Sequence, residues 1–266
     1  TRSYKTSLLP SHSLRRHEAM DSLLAIKVHV KGLFNSFKPK APEDIRYHRT
    51  LQLPPRTTLL GFAGAALGLK ERELYIQWNN GPPLSDRLEV ATRLEKIDGH
   101  VVDYWTIVKF VERKEPFRAM QVREQLFKPS YMLYFASDDE ELVKYIEERI
   151  NDPRYPLSLG RDDELVRVVA AHVCVLRLLK PPFVLSNILM PLDIIPKLAE
   201  EDRLTVLAAL ARFKLARSFD IGDDGTRKER DLAEYAQLTT QVHVVGDVEA
   251  YTDAPEGALG NNLVFL

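Results

Sequence analysis

The residues best suited to chemistry lie in PPRTTLLGFAGAALG, positions 54–68. Two prolines close an extended segment. Arg56, Thr57 and Thr58 follow, ahead of an apolar run punctuated by Gly61, Gly64 and Gly68. Read as a helix start, this presents unpaired backbone N–H groups beside a guanidinium, an arrangement that attracts anions and phosphate above all. The glycines remove side chains and let another backbone approach closely. The same residues equally describe a buried, tightly packed helix. The run is shorter than the ~20 apolar residues of a bilayer span. No Gly-Lys-Ser/Thr follows the glycines, so it is not a nucleotide P-loop.

A second group of candidates precedes it. Residues 33–55 lack periodicity and carry Phe34, Phe37, Lys38, Lys40, Arg46, Tyr47, His48 and Arg49. Aromatic residues interleaved with basic ones suit single-stranded nucleic acid, where bases stack and phosphates pair. Just upstream, AIKVHVK at 25–31 alternates strictly, with Ile26, Val28 and Val30 on one face and Lys27, His29 and Lys31 on the other. This is a strand with one buried and one basic side.

Signals for other chemistry are missing. Histidines stand at 12, 17, 29, 48, 100, 172 and 243, none in HxxxH or HExxH spacing. The single cysteine, Cys174, cannot form an internal disulfide or a thiolate zinc site, and reads as a small buried hydrophobe. There is no GxSxG element and no dinucleotide glycine fingerprint. Asp162, Asp163 and Glu164 form an acidic trio, read as a solvated loop in preference to a metal site. No metal, cofactor or small-molecule substrate is expected.

The elements that must position these residues follow from the wider pattern. With 266 residues, 45% hydrophobic and 28% charged, the chain is long enough to bury a core unaided. Thirty-seven basic and 38 acidic residues give a net charge of -1, so a nucleic-acid binder of this composition must gather its cations on one face. The polar, basic start lacks the apolar stretch of a secretory signal. Two readings of residues 1–19 stand: an extension upstream of Met20 as the original start, or a disordered basic arm. A cytoplasmic protein without membrane contact is expected. A strand at 25–31 precedes the glycine-rich helix at 56–68, then a short strand at 73–78 and a turn at NNGPP, 79–83. Strands at 101–111 and 122–136, joined by the basic RKEPFR connection, are expected to form a long hairpin. Ser137 and Glu140 make a capping box for a helix with Leu142, Val143, Ile146 and Ile150 as its stripe. A β-rich run covers 165–178. The order β-α-β-β-α-β is that of a ferredoxin-like or RRM-like α+β unit over 20–178. In the remainder, 179–266, residues 201–217 read as helix, GDDG at 222–225 as its breaker and 241–245 as a strand. This α/β region has no assigned role.

Taken together, the AIKVHVKG strand, the loop containing Ser36 and Phe37, PRTTLLGFAGAALG and the later YPLSLGR at 155–161 resemble the Cas-five subunit family of type I CRISPR effector complexes, a RAMP family. The resemblance covers about residues 25–178. It implies an RRM-like body with a β-hairpin thumb and antiviral defence as its setting. It also implies a non-catalytic role in the Cascade complex, capping the 5′ repeat-derived handle of the CRISPR RNA (crRNA). The expected partners are that handle, the Cas-seven backbone subunit and the large subunit. Carried over, Arg56, Thr57, Thr58 and Gly61 become handle-phosphate contacts. Ser36 and Phe37 meet handle bases, Gly160 and Arg161 lie beside them, and Lys31, Lys38 and Arg46 complete the RNA-binding set. One branch of the family is a metal-independent endoribonuclease with a loop tyrosine and an adjacent Lys-His pair. Tyr47, His48 and Lys128 are the corresponding alternative here, but Pro129 follows Lys128 and no Lys-His dipeptide exists, which speaks against cutting. A protein-binding RRM-like scaffold is a further alternative.

Overall fold

The computed structural model describes residues 22–39, 47–110, 115–209, 212–255 and 260–266. Arg46 and the 1–19 extension lie outside them. The first strand, β1 (Ser22–Gly32), has the expected alternation: Ile26, Val28 and Val30 are fully buried. Two short strands, β2 (Phe34–Asn35) and β3 (Tyr47–His48), lie in the segment expected as loop. Helix α1 (Arg56–Leu67) follows, then α2 (Glu71–Tyr75). Strands β4 (Glu89–Lys96), β5 (Gly99–Lys109), β6 (Phe117–Phe127) and β7 (Ser130–Ser137) precede α3 (Glu140–Asn151) and β8 (Val166–Leu178). The remainder contributes β9 (Phe183–Leu185), β10 (Ile188–Pro191), α4 (Glu200–Ala209), β11 (Arg212–Ile221), β12 (Arg227–Leu238), β13 (Val242–Val244), β14 (Tyr251–Thr252) and β15 (Asn262–Leu263).

Nine strands form one antiparallel sheet in the order β11-β12-β10-β4-β7-β1-β8-β14-β15. At its centre β4, β7, β1 and β8 lie side by side, and α1 and α3 are the helices between them in the chain. One face packs on these helices: Ile26, Val28, Val30, Leu133 and Phe135 meet Leu59, Phe62, Ala66, Val143 and Ile146 in the main core. Phe62 stacks on Phe135 with centroids 5.9 Å apart. Each such Leu, Ile or Phe contributes about 1.5–3 kcal/mol by leaving water. On the other face Ile188, Met190 and Leu238 carry a second core with β9, β13 and α4 residues, and Ala25, Tyr134 and Leu176 a third with Tyr251 and Leu263.

Several elements differ from the sequence reading. The strand expected at 73–78 is the helix α2, because Leu74 and Tyr75 are drawn into the core against α1 and β11. The hairpin pairs β5 with β6, register Gly99 with Phe127 through Lys109 with Phe117. The stretch 122–136 is not one strand: it breaks at Lys128-Pro129, with Lys128 at φ 48°, and β7 enters the large sheet instead. The second strand of the central unit is therefore β4, whose charged EVATRLEK sequence masks its buried Val90 and Ala91. Helix α3 is capped by Asp139, whose carboxylate accepts from Leu142 N at 3.1 Å; Ser137 Oγ accepts from Asp139 N. Residues 201–217 split into α4 and β11, and GDDG is the hairpin turn into β12, closed by Gly222 N donating to Thr226 O.

Candidate nucleic-acid interface

The clearest constellation forms where the end of β1 meets the loop before β8. Asn35, in β2, donates to the carbonyl of Leu159 at 2.6 Å. Ser36 donates twice to Glu164, from its backbone N at 2.8 Å and its hydroxyl at 2.5 Å. Arg161 N donates to the same carboxylate at 3.0 Å. Glu164 is only 3% exposed, so it is the anchor of a clasp and not a solvated member of an acidic trio. Among the described residues no group of three metal-ligating side chains converges.

Gly160 makes this closure feasible. It sits at φ 114°, and a Cβ there would lie 2.5 Å from Ser36 O and 2.2 Å from Glu164 Oε2. Gly160→Ala is therefore expected to lower stability by about 1–3 kcal/mol through strain at positive φ and steric overlap. Gly61→Ala is the counterpart. No atom lies within 4 Å of its Cβ position, so removing a helical glycine there should stabilise by about 0.5–1 kcal/mol. Urea titration of the two variants checks both signs. The close backbone approach expected of Gly61 is not found there, and at Gly64 the neighbour is a side chain, with Leu74 Cδ2 2.6 Å from where a Cβ would stand.

The hairpin completes the clasp. Arg123, in β6, is 5% exposed and places its guanidinium 3.9 Å from Glu164 and 3.8 Å from the centroid of Trp105 in β5. Arg161 lies over the same ring at 5.2 Å. Trp105 is held by its indole N–H donating to Asp103. Burial lowers the proton affinity of Arg123, with Glu164 opposing that effect. Two of its buried nitrogens, Nε and Nη1, have no hydrogen-bond partner among the described residues, and neither does Asn35 Oδ1.

The structure thus brings together Ser36, Gly160 and Arg161, with Lys31 exposed at the end of β1 beside them. Phe37 faces inward: its ring is buried edge-on against Tyr131, where no base reaches it. Lys38 is exposed on the loop. Arg56, expected to face phosphate, is buried and committed internally. It donates to the carbonyls of Leu266 at 3.0 Å, Ser85 at 2.8 Å and Leu88 at 3.1 Å, and pairs with Glu89 at 3.3 Å. Glu89 opens β4 opposite Ala136, whereas Lys96 lies opposite Ser130 near the clasp. The helix start is therefore about 20 Å from the clasp along the sheet. Thr57, Thr58 and Gly61 are half-buried on one flank of α1 and do not join it.

The alternative catalytic set does not converge. Tyr47 donates to Glu124 at 2.7 Å, and that hydrogen bond chiefly raises its proton affinity, which weakens it as a base. His48 contacts the amide of Gln121. Lys128 lies beyond the end of β6, its ammonium 5.0 Å from the Phe127 ring, whereas Tyr47 and His48 pair with Val122 and Arg123.

The residues that sequence reading missed are Arg123, Trp105 and Glu164. A lone acid beside two other acids carries no inward signal. An arginine and a tryptophan 18 positions apart meet only through the hairpin register, where Trp105 pairs with Gln121 and Asp103 with Arg123.

Among the described residues no helix is long and apolar enough to cross a membrane. No curated protein sequence matches the chain. Among solved structures it is similar to a chain described as a CRISPR RNA-guided surveillance complex, at 14% identity and TM-score 0.49, covering 81% of this chain and 90% of that one. A CRISPR protein from Archaeoglobus fulgidus matches at 12% identity and TM-score 0.48, covering 90% and 98%. A chain of a Type III-B Cmr-beta assembly bound to cognate target RNA matches at 14% identity and TM-score 0.46, covering 82% and 86%. The family model described as CRISPR-associated protein (Cas_Cas5) matches residues 25–185, well over half of the sequence, and the chain belongs to that family.

Proposed function

We propose that this chain is a non-catalytic subunit of a type I CRISPR effector complex and grips the 5′ handle of the crRNA at the clasp. The observation that carries the reading is the guanidinium of Arg123. Buried N–H groups without a partner are rare, and these stand beside a second guanidinium, Arg161, over one indole face. A phosphate or base oxygen brought in by RNA supplies the missing acceptor, and an indole and guanidinium planes suit an unstacked base. Gly160 and Ser36 shape the clasp, and Lys31 and Lys38 line its margin. Phe37 holds the loop from within. Thr57, Thr58 and Gly61 offer a second contact on α1, with Arg56 fixing the helix start. Family membership and the order β1-α1-β4-β7-α3-β8 support a ferredoxin-like body carrying the β5–β6 thumb. One face of that hairpin exposes Val102, Tyr104, Val108 and Met120. Such an apolar patch favours docking of a neighbouring protein subunit, the backbone or large subunit of the complex.

The test is retention of handle-bearing RNA by purified protein. Arg161→Ala removes a half-exposed guanidinium and should weaken binding about 10- to 100-fold, the scale of a charge-assisted contact at 1.5–3 kcal/mol. Unchanged affinity rejects the clasp as the grip. Incubation of repeat RNA with the protein in EDTA should leave it intact. Cleavage that vanishes in His48→Ala would establish the nuclease reading instead.

A further inference from the structure

The two faces of the central sheet are covered unequally. Helices α1 and α3 pack the first face along its length, whereas on the second the cores built from the C-terminal region lie over β10 and β12 and over the Ala25–Tyr134 end. Between them, at the end nearer the clasp, part of β4, β7, β1 and β8 is covered by neither core among the described residues. Register places its residues: His29 lies between Met132 and Ala170, Lys31 between Ser130 and Arg167, Lys27 opposite His172, and Arg93 opposite Met132. Arg167, Ala170, His172 and Lys31 are exposed, and Lys27, His29, Arg93 and Met132 half-buried. The area measures about 13 Å along the strands and about 14 Å across them.

Its charge is one-sided in a chain whose total is -1. Lys27 is paired with Asp253 at 2.6 Å. Lys31, Arg93 and Arg167 have no ion pair among the described residues. Glu95, at the irregular end of β4, is the carboxylate that acts on His29. The imidazole registers the imbalance: burial lowers its proton affinity, and Lys31, Arg167 and Lys27 lower it further against Glu95. Lys31 and Arg167 flank an imidazole that bonds Ser130 at 2.9 Å, and Met132 stands between it and Arg93. Cations suit phosphates; a flat imidazole and a thioether suit the faces of bases.

We propose that this open end of the sheet is a second binding site, for the sugar–phosphate backbone of a single-stranded nucleic acid, distinct from the clasp and insensitive to sequence. The proposal takes the chain as a nucleic-acid-binding subunit and shares with the clasp only Lys31, at its margin; Arg93, Arg167 and His29 lie outside it. A strand leaving the clasp past Lys31 and Arg167 runs directly onto this face, which thereby extends the footprint beyond the handle.

The probes are handle-free oligouridine and oligodeoxythymidine, titrated against the full chain by fluorescence anisotropy over a salt series. The wild-type protein should bind with a negative log–log salt slope. The Arg93→Gln/Arg167→Gln pair should reduce the slope's magnitude by about 1.4 and the affinity about tenfold, at roughly 0.7 per phosphate neutralised. A loss on both polymers supports a backbone site for either, and a loss on one names its polymer. Absence of binding by the wild type, or an unchanged slope in a folded double variant on both polymers, overturns the proposal. Should the double variant melt early, Arg167→Gln alone, on an exposed side chain, carries the test with a slope change of about 0.7. The two sites are separated by combination: in the Arg161→Ala background, whose handle affinity is lowered about 10- to 100-fold, the Arg93→Gln/Arg167→Gln pair should still remove about 1.4 from the homopolymer slope, so failure at the clasp and failure here are read independently.

Discussion

Replacing Glu164 with alanine is expected to cost the fold about 3–5 kcal/mol, the penalty for removing one partner of a buried charge pair. The carboxylate accepts three hydrogen bonds, two from Ser36 and one from Arg161 N, and stands beside a guanidinium that is itself buried. Its loss strands that cation and frees the two segments it joins, the loop after β2 and the turn before β8. Urea titration should show a lower midpoint with an unchanged slope. Handle-bearing RNA should be retained poorly even where the variant is folded, because Arg161 and Arg123 lose their common reference. Glu164→Gln keeps the shape and one acceptor oxygen and should fall between the parent and the alanine variant. Asp162→Asn and Asp163→Asn, on exposed neighbours, should shift stability by no more than about 0.5 kcal/mol. Parental stability and RNA retention in both Glu164 variants would show that the carboxylate anchors nothing. If the alanine variant fails to fold, the glutamine variant decides.

Arg56→Ala should produce the second large loss, about 3–4 kcal/mol, since two or more buried acceptors are stranded at about 1–3 kcal/mol each. The carbonyls of Ser85, Leu88 and Leu266 all point at this guanidinium. It therefore ties the start of α1 to the start of β4 and to the closing residues. Arg56→Lys places one ammonium where a planar fork reached separate acceptors, so it should recover only part of the loss. The distinguishing measurement is RNA affinity at a temperature where each variant remains folded. An internal tie predicts affinity within about twofold of the parent. Full stability with RNA retention lost would mean that Arg56 turns outward to a phosphate and that the helix start opens to release it.

The motifs on which the sequence resemblance rests include Ser36-Phe37, the glycine-rich helix and the Leu-Gly-Arg loop, and each contributes differently in three dimensions. Ser36 and Gly160 touch. Gly160 entered the sequence reading only through the resemblance, and its φ of 114° and the close approach of Ser36 O give the physical reason for a glycine there. The helix start was legible as a helix start, yet its arginine faces inward, because a cation beside prolines and threonines reads the same whether its acceptors are phosphates or carbonyls. Phe37 stands among basic residues in the sequence, but the bridge between Phe37 and Leu51 turns its ring into the core against Tyr131.

Local physical chemistry by itself determined much of this protein. Alternation marked β1, the four-spaced stripe Leu142, Val143, Ile146 and Ile150 marked α3, and β-branched runs marked β5 and β8. These signals arise from side chains sorted between water and core within one element, and they survive in a linear string. What only the tertiary structure decided is pairing over distance. The central sheet takes its second strand from a charged segment, the stretch 122–136 divides between two sheets at a residue of positive φ, and the C-terminal region adds strands to the same sheet and leaves one basic end of its face open. The clasp belongs to this second class. Glu164, Arg123 and Trp105 are single residues on three separate elements. Their chemistry exists because burial of the surrounding apolar faces forces a carboxylate, a guanidinium and an indole into one small volume, which no local pattern encodes.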